Sequence, residues 1–234
     1  MNAPPAREVA HEGGAAAYET VARSHDEVAG RLAQRLARET RGDVLFSLAD
    51  RGRYAGDASI YQVMPIGVFV PRTGDDVKVA IDICRDLGAP IVPRGGGTSQ
   101  CGQTTGAGLV IDHSRHIRKL LSFDERQRVV EVEPGIVLDH LNQQLKPARL
   151  WYPVDVSTSA QATLGGMAGN NSCGSRSLAY GNMVHNVLGV RAWTSDGQLH
   201  RFGRFDESAG TARVIGEQVQ LLARQLAPEI ERRW

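Results

Sequence analysis

The segment from Gly67 to Val92 has the pattern of a strand, a helix and a second strand, and this pattern constrains the fold most. Gly67 to Pro71 is a short apolar run that a proline ends, and Thr73 has the side chain of a helix N-cap. Apolar residues at helical spacing continue to Gly88, a helix stop, and Ile91-Val92 is the next apolar run. We predict a parallel, right-handed βαβ unit, whose ligands would bind beyond the carboxyl ends of its strands.

The second predicted strand leads directly into three consecutive glycines, Gly95 to Gly97, which Thr98 and Ser99 follow. Successive backbone N–H groups in such a turn form a concave anion site, so the segment predicts a phosphate cradle. It is not a P-loop, because no lysine lies between Pro90 and Leu109, and the sixth position of a GxGxxG fingerprint is Gln100. A glycine turn without a ligand is the alternative interpretation.

A second glycine-rich cluster runs from Thr163 to Gly174 and continues through Tyr180-Gly181-Asn182. Its hydroxyl and amide side chains donate hydrogen bonds, and its glycines permit the close approach of another chain or a ligand. A loop packed tightly against another backbone is the alternative. We predict that the two clusters converge on one diphosphate group, since two such clusters so far apart in sequence are hard to explain separately.

Composition excludes several classes of protein. The 234-residue chain has a formal net charge of +1, which favours neither nucleic acid nor a membrane surface as the main partner. No apolar run is long enough to span a bilayer, and residues 1–14 lack the apolar core of a secretory signal. The 3 cysteines have no paired spacing, which argues against a disulfide scaffold or a structural zinc site and favours a cytoplasmic location.

The rest of the sequence predicts a mobile arm over residues 1–24 and a helix from His25 to Thr40. A last helix is predicted from Glu207 to Ala227, ended or kinked by Pro228, with Ile215, Val219, Leu222 and Leu226 on one face. Between them we predict strands over 108–112, 128–133, 187–194 and 198–202, and a helix over 136–145.

From about Tyr54 to Phe202 the sequence resembles the PCMH-type FAD-binding domain of vanillyl-alcohol-oxidase-like flavoproteins. The resemblance is specific because many motifs occur in the family's order: Pro71, Pro93 to Ser99, Val132 to Gly135, Thr163 to Gly166, Asn171 to Gly174, Tyr180-Gly181 and Ser195 to Gly197. Within the family it looks most like the FAD-linked D-2-hydroxy-acid dehydrogenases, which include glycolate oxidase D-subunits, D-lactate dehydrogenases and D-2-hydroxyglutarate dehydrogenases.

The resemblance implies an α+β fold, the PCMH-type FAD-binding fold of two α+β subdomains, the first of which contains the parallel βαβ unit. The first subdomain would span residues 25–118 with a leading helix, and the second 119–234, incomplete at the C-terminus. Nothing after Phe205 matches the family's closing piece, its substrate domain or its iron–sulfur region. The chain therefore looks like the N-terminal part of a longer flavoprotein, or an unusually short relative, whose FAD site another chain could complete.

The cofactor implied is FAD, bound non-covalently, because Thr98 stands where some relatives carry the histidine that attaches it. Residues 94–99 would wrap the pyrophosphate through backbone N–H groups. The other implied residues would lie along the ribityl chain and the flavin, and on the opposite side of the pyrophosphate. The implied cofactor-binding residues are Arg94, Gly95, Gly96, Gly97, Thr98, Ser99, Gln103, Thr104, Pro153, Thr163, Gly165, Gly166, Ser172, Gly174 and Gly181. Thr158 and Ser159 are weaker candidates, and a thioether to Cys101 or Cys173 is disfavoured.

The implied activity is oxidation of a small D-2-hydroxy acid, with electrons passed on to an acceptor that the sequence does not identify. Two alternatives stay open: a non-catalytic FAD-binding or electron-transfer subunit that needs a partner chain, and a UDP-sugar reductase on the same fold. No catalytic base or metal ligand is identified, and His113, His116 and His185 are interpreted as surface or packed residues. The segment around Asp57, from Tyr54 to Tyr61, would be either a loop over the flavin or a structural loop.

Overall fold

A computed structural model describes residues 12–204 and 209–234. Its first half consists of α1 (Glu12–Glu39), β1 (Asp43–Leu45), α2 (Leu48–Arg53), β2 (Gly67–Val70), α3 (Gly74–Leu87), β3 (Ile91–Arg94) and β4 (Leu109–Asp112). Its second half consists of β5 (Leu120–Asp124), β6 (Val129–Val132), α4 (Leu138–Leu145), α5 (Leu164–Gly169), α6 (Ser177–Tyr180), α7 (Met183–Asn186), β7 (Val190–Trp193), β8 (Leu199–Phe202) and α8 (Gly210–Arg233).

The predicted βαβ unit is present, but its two strands are not neighbours. The four-stranded sheet has the order β1-β2-β4-β3, in which β4 is parallel to both β2 and β3. Parallel neighbours need a long crossover connection, and here residues 95–108, which include the first glycine cluster, are the connection between β3 and β4. The glycine cluster therefore starts at the carboxyl edge of the sheet, where Arg94 pairs in register with Asp112.

Helix α3 begins and ends as its sequence predicts. The Thr73 side chain accepts a hydrogen bond from the Asp76 amide and completes a capping box, and Gly88 at the C-cap has a positive φ of 64°. Its buried face packs with α1 and one face of the sheet around Phe69, Ile83 and Leu109. This rigid support fixes the strand ends from which the glycine cluster leaves.

A second hydrophobic cluster is centred on α4 and α5 and includes Ile136, Leu141, Val154 and Met167. The β5–β6 hairpin packs against it, whereas the β7–β8 hairpin returns to the first half of the molecule. There Trp193 packs against the first hydrophobic cluster, and Arg85 donates a hydrogen bond to the carbonyl of Asp196. Two clusters within one α+β chain agree with the predicted fold class, while the boundary at residue 118 stays a prediction.

The predicted start of the first helix and the predicted end of the last helix at Ala227 are wrong, whereas a kink at Pro228 stays a prediction. Helix α1 starts at Glu12 rather than His25, because the alanine-rich stretch has high intrinsic helix propensity although it lacks apolar periodicity; residues 1–11 of the predicted arm lie outside the described residues. Helix α8 does not end at Pro228 but continues to Arg233. Proline has no backbone N–H, so Pro228 cannot donate to the carbonyl of Arg224 one turn earlier. Arg224 is exposed, so water can donate to this carbonyl instead. Glu207, its predicted start, is outside the described residues.

Candidate functional site

The two glycine clusters lie directly against each other. A Cβ atom added to Gly95 would meet the hydroxyl oxygen of Thr163 at less than 3.0 Å and its Cβ at 3.2 Å. A Cβ added to Gly96 would meet the backbone of Gln161, at 2.9 Å from the carbonyl carbon and closer still to the oxygen. Real Cβ atoms do not approach so closely, so only glycine allows this contact. The predicted convergence of the clusters is therefore present.

The first cluster carries a run of unused hydrogen-bond donors. Among the described residues, no acceptor takes a hydrogen bond from the backbone N–H groups of Gly95, Gly96, Gly97, Thr98 or Ser99. Gly97 has a positive φ of 64°, which turns the chain within this run. Successive free N–H groups in a tight turn attract anions, and a diphosphate has enough oxygen atoms to accept from several of them. This donor set fits the pyrophosphate of FAD.

A side-chain hydrogen bond joins the two clusters a second time. The Gln103 amide nitrogen donates to Asn170 Oδ1 at 2.9 Å, and Ser99 Oγ donates to Gln103 Oε1 at 2.6 Å. Ser99 Oγ in turn accepts from the backbone N–H of Cys101 at 3.2 Å. Gln103 is therefore a bridge across the two clusters, and its polar atoms have protein partners.

The Arg94 side chain contacts protein, and the prediction that the Arg94 backbone N–H helps to wrap the pyrophosphate stays a prediction. Arg94 is the last residue of β3, and its carbonyl accepts a hydrogen bond from His113 at 3.0 Å. Its guanidinium donates to the carbonyl oxygens of Tyr54 at 3.1 Å, Gly56 at 2.9 Å and Thr104 at 3.5 Å. The guanidinium carbon also lies 5.2 Å from the centre of the Tyr54 ring. Arg94 thus contacts protein backbone on both sides of the glycine cluster.

Two carboxylates hold the loop that Arg94 contacts. Asp57 accepts from the Thr104 hydroxyl at 3.0 Å and from the Ser59 N–H at 2.9 Å, and these bonds keep its pKa low although burial opposes this. Buried Asp112 accepts from the Tyr54 hydroxyl at 2.8 Å. Burial, together with this bond, raises the pKa of Tyr54 to about 12. The loop from Tyr54 to Tyr61 is thereby anchored to the sheet.

The predicted residues at the start of α5 are structural partners of the cradle. Thr163 caps α5 by accepting from the Gly166 N–H at 3.4 Å, and the Gly165 N–H donates to the Pro134 carbonyl at 2.8 Å. Gly165 also packs against the Pro134 ring, because a Cβ there would lie 2.6 Å from that side chain. The N–H groups of Gly165 and Gly166 therefore have acceptors within the protein, and the Thr163 side chain forms the surface against which Gly95 packs.

Of the remaining predicted residues, Pro153 precedes the second cluster, and Ser172, Gly174 and Gly181 lie farther along it. In the described part of the chain, no hydrogen bond joins Pro153, Ser172, Gly174 or Gly181 to residues 94–104. Gly174 packs against the backbone of Asp155, and Gly181 has a positive φ of 78°. Their role along a bound cofactor stays a prediction.

A surface hollow of about 280 Å³ is found not at the cradle but beside α4. Its lining includes Trp151, Asp155, Arg176 and Ser159, one of the weaker candidates. Arg176 lies 4.6 Å from the Trp151 ring and forms an ion pair with Asp155 at 2.8 Å, which lowers the pKa of Asp155 to about 2. The cradle offers backbone donors, whereas this hollow already contains its own ion pair.

The three histidines singled out in the sequence lie in different surroundings. His185 Nδ1 accepts from the backbone N–H of Asn182 at 3.0 Å within the α7 cap, and burial lowers the pKa of His113. His116 Nε2 lies 3.7 Å from Asp43. Within the described residues, no three His, Cys, Asp or Glu side chains form a group that could hold a metal ion.

Sequence reasoning missed two contributors to the site. Gln161 acts through its backbone, and every residue has a carbonyl, so no residue type could have indicated it. Asp112 anchors Tyr54. Asp112 lies at the carboxyl end of a parallel strand, and this position could have indicated that it belongs to the site.

Comparison with known proteins gives a consistent result. Residues 65–203 match the model of the FAD binding domain family. The chain is 40% identical over 161 residues to the D-2-hydroxyglutarate dehydrogenase of Pantoea ananatis and 35% identical over 170 residues to glycolate oxidase subunit GlcD of Bacillus subtilis. These alignments cover 68% and 70% of this chain, but only 16% and 36% of the relatives.

The fold is shared with solved structures of lower sequence identity. An alkyldihydroxyacetonephosphate synthase superposes with a TM-score of 0.66 at 21% identity, over 79% of this chain and 39% of that protein. This likeness confirms the predicted α+β fold. No helix in the described residues has the length and apolar character needed to cross a membrane.

Proposed function

Since the chain belongs to the FAD binding domain family, we propose that it is the FAD-binding portion of a flavin-dependent oxidoreductase that oxidises a D-2-hydroxy acid to the 2-oxo acid. The main support is the run of unpartnered N–H groups from Gly95 to Ser99, held against the backbone of Gln161. Such a run is suited to a diphosphate and has no evident structural purpose of its own.

In this proposal the N–H groups of residues 95–99 bind the pyrophosphate, and Gln103 and Thr104 lie toward the ribityl chain. Thr163, Gly165 and Gly166 close the opposite wall, and Pro153, Ser172, Gly174 and Gly181 continue along the cofactor. Bound flavin supplies the capacity to accept a hydride from the substrate carbon. The chain's own contribution is to orient the cofactor through fixed backbone dipoles, with FAD held non-covalently.

The substrate class is proposed from the names of the relatives, which include a D-2-hydroxyglutarate dehydrogenase and a glycolate oxidase subunit. The compounds to test are therefore D-2-hydroxyglutarate, D-lactate and glycolate. We further propose a cytoplasmic location, which the free thiols of Cys84, Cys101 and Cys173 support.

The first experiment is a calorimetric titration of the purified chain with FAD and, as a control, riboflavin, which lacks the diphosphate. We expect FAD to bind much more tightly than riboflavin. The FAD complex is then mixed anaerobically with each hydroxy acid, with L-lactate as the stereochemical control. Loss of oxidised-flavin absorbance with one D-acid or glycolate supports the proposal, and absence of any FAD binding contradicts it.

A non-catalytic FAD-binding or electron-transfer subunit is the second candidate. It is favoured by the limited match to the relatives, of which the chain spans 16% and 36%. Substrate-binding groups and the route to the electron acceptor would then come from a partner chain or from substrate and iron–sulfur regions. FAD binding without reduction by any hydroxy acid would favour this candidate.

A further inference from the structure

The Arg94 guanidinium is occupied by protein backbone rather than directed to the free N–H groups. Its three acceptors are the carbonyls of Tyr54, Gly56 and Thr104, and within the described residues it forms no ion pair with a carboxylate. A planar guanidinium presents donors in a fixed fork and can link several carbonyl oxygens at once. Arg94 therefore joins residues 54–56 to Thr104, on either side of the glycine cluster.

The backbone of Gly97 leaves the space that this guanidinium needs. A Cβ on Gly97 would lie 2.6 Å from Arg94 Nη2, and its φ of 64° is one that other residues rarely adopt. The carbonyl of Gly97 also accepts a hydrogen bond from the Ala58 N–H at 3.1 Å. Glycine at this position thus serves the contact with Arg94 as well as the turn of the cradle.

The segment that Arg94 holds reaches over the cradle. Tyr61 packs on Gly102, where a Cβ would lie 2.7 Å from the tyrosine ring. Ile60, next to it, is 94% exposed, as expected of a residue that no part of the described chain covers. Arg94 therefore supports this segment through the carbonyls of Tyr54 and Gly56, together with the hydrogen bonds of Asp57 to Thr104 and of Ala58 to Gly97.

We propose that Arg94 is a positioning residue, whose guanidinium fixes the shape of the glycine cluster and the 54–61 segment and makes no contact with the FAD diphosphate. This inference rests on the proposed function, since it concerns how the same cradle is held. Its direct competitor is an Arg94 guanidinium that pairs with the FAD diphosphate, whereas the expectation that the Arg94 backbone N–H binds the pyrophosphate stays a separate prediction.

The test compares the wild-type chain with Arg94→Lys and Arg94→Ala by calorimetric titration with FAD over a range of sodium chloride concentrations. Lysine binds phosphate well as a point charge but cannot reproduce the planar fork. If Arg94 positions the loop, R94K loses affinity nearly as much as R94A, by about tenfold, which corresponds to about 1.4 kcal/mol. The salt dependence of binding stays that of the wild type in both variants, because no charge on the ligand has lost its partner.

Rescue supplies a readout that general loss of stability would not give. The carbonyl-lined space left in R94A accepts free guanidinium, so low millimolar guanidinium chloride should restore FAD affinity, whereas equal urea or sodium chloride should not. A merely destabilised protein would show no recovery of affinity, because guanidinium at this concentration is far too dilute to change stability and would fill no specific space.

The outcomes separate the two proposals. Wild-type affinity in R94K, or a weaker salt dependence in R94A, would assign Arg94 to the phosphate and overturn the positioning role. Should R94A fail to fold, the R94K titration decides alone. Failure of the wild-type chain to bind FAD would overturn the proposed function and this inference with it, whereas R94K binding like the wild type overturns only the inference.

Discussion

The contact between the two glycine clusters predicts a measurable effect of Gly96→Ala. The new methyl group would lie 2.9 Å from the Gln161 carbonyl carbon and closer still to its oxygen. Both atoms are backbone, so no side chain can rotate away, and the clusters must separate. Overpacking of this kind costs about 1–3 kcal/mol.

The consequence for FAD depends on where the strain is relieved. If the apo protein relieves it by opening the cradle, bound FAD must draw the clusters together again, and the dissociation constant rises by a factor of about 5–150 for 1–3 kcal/mol. If the strain persists in both states, the affinity is unchanged and the free energy of unfolding falls by the same amount instead. The loss in FAD-binding free energy and the loss in the free energy of unfolding should therefore add up to the cost of the overlap.

The assay is FAD titration together with urea unfolding of the apo protein. Gly169→Ala is the matched control, because a Cβ at Gly169 meets no atom within 4 Å and the position lies in α5. This control should bind FAD normally and unfold no more easily than the wild type. A G96A variant with wild-type affinity and wild-type stability would refute the contact between the clusters.

Three further predictions concern the groups around the cradle. In a double-mutant cycle, Thr163→Ala should reduce the effect of Gly95→Ala, since it removes the hydroxyl that the new methyl overlaps; additive losses of stability would contradict this. Folding raises the pKa of Tyr54 from 10.0 to about 12. The protonated hydroxyl therefore makes its full contribution to the free energy of unfolding below pH 10.0, and this contribution is lost as the pH rises toward 12. In urea unfolding, the free energy of unfolding of Tyr54→Phe should therefore fall less over this pH range than that of the wild type. An equal fall in both proteins would contradict this role of the Tyr54 hydroxyl. Although burial opposes it, backbone N–H donors keep the pKa of Asp76 low, so its contribution is present at neutral pH and lost on acidification. The free energy of unfolding of Asp76→Asn should fall less on acidification than that of the wild type. An equal fall would show that other groups cause the acid sensitivity.

Local rules account for the parts of the fold that the sequence predicted. Thr73 and Gly88 mark the ends of α3 because capping and left-handed backbone depend on residue type, and both positions are as expected. The glycine clusters were also visible in sequence, since only glycine permits such close backbone contact. What these signals share is that the residue type itself determines the geometry.

The sequence could not predict features that depend on distant partners. Nothing in the pattern from Gly67 to Val92 indicates that β4 inserts between β2 and β3. The apolar face of α8 was visible, yet Val219 and Leu222 are 60% and 54% exposed, because periodicity shows an apolar face but not what lies against it. The side chain of Arg94 is the clearest case, because the carbonyls of Tyr54 and Gly56 that it binds are distant in sequence.

The two interpretations of the glycine clusters, tight packing and ligand binding, describe one arrangement. Gly95 and Gly96 use their missing side chains to contact Thr163 and Gln161, and this contact occupies one side of the chain. The N–H groups of the same residues find no acceptor within the described structure, so packing fixes the donors without using them. A flexible glycine run would have to lose conformational entropy on binding a diphosphate, whereas one already held by its neighbours loses less. The close packing of the second cluster is therefore what makes the first a preorganised anion site, and any substitution that loosens the contact should weaken FAD binding without touching the donors.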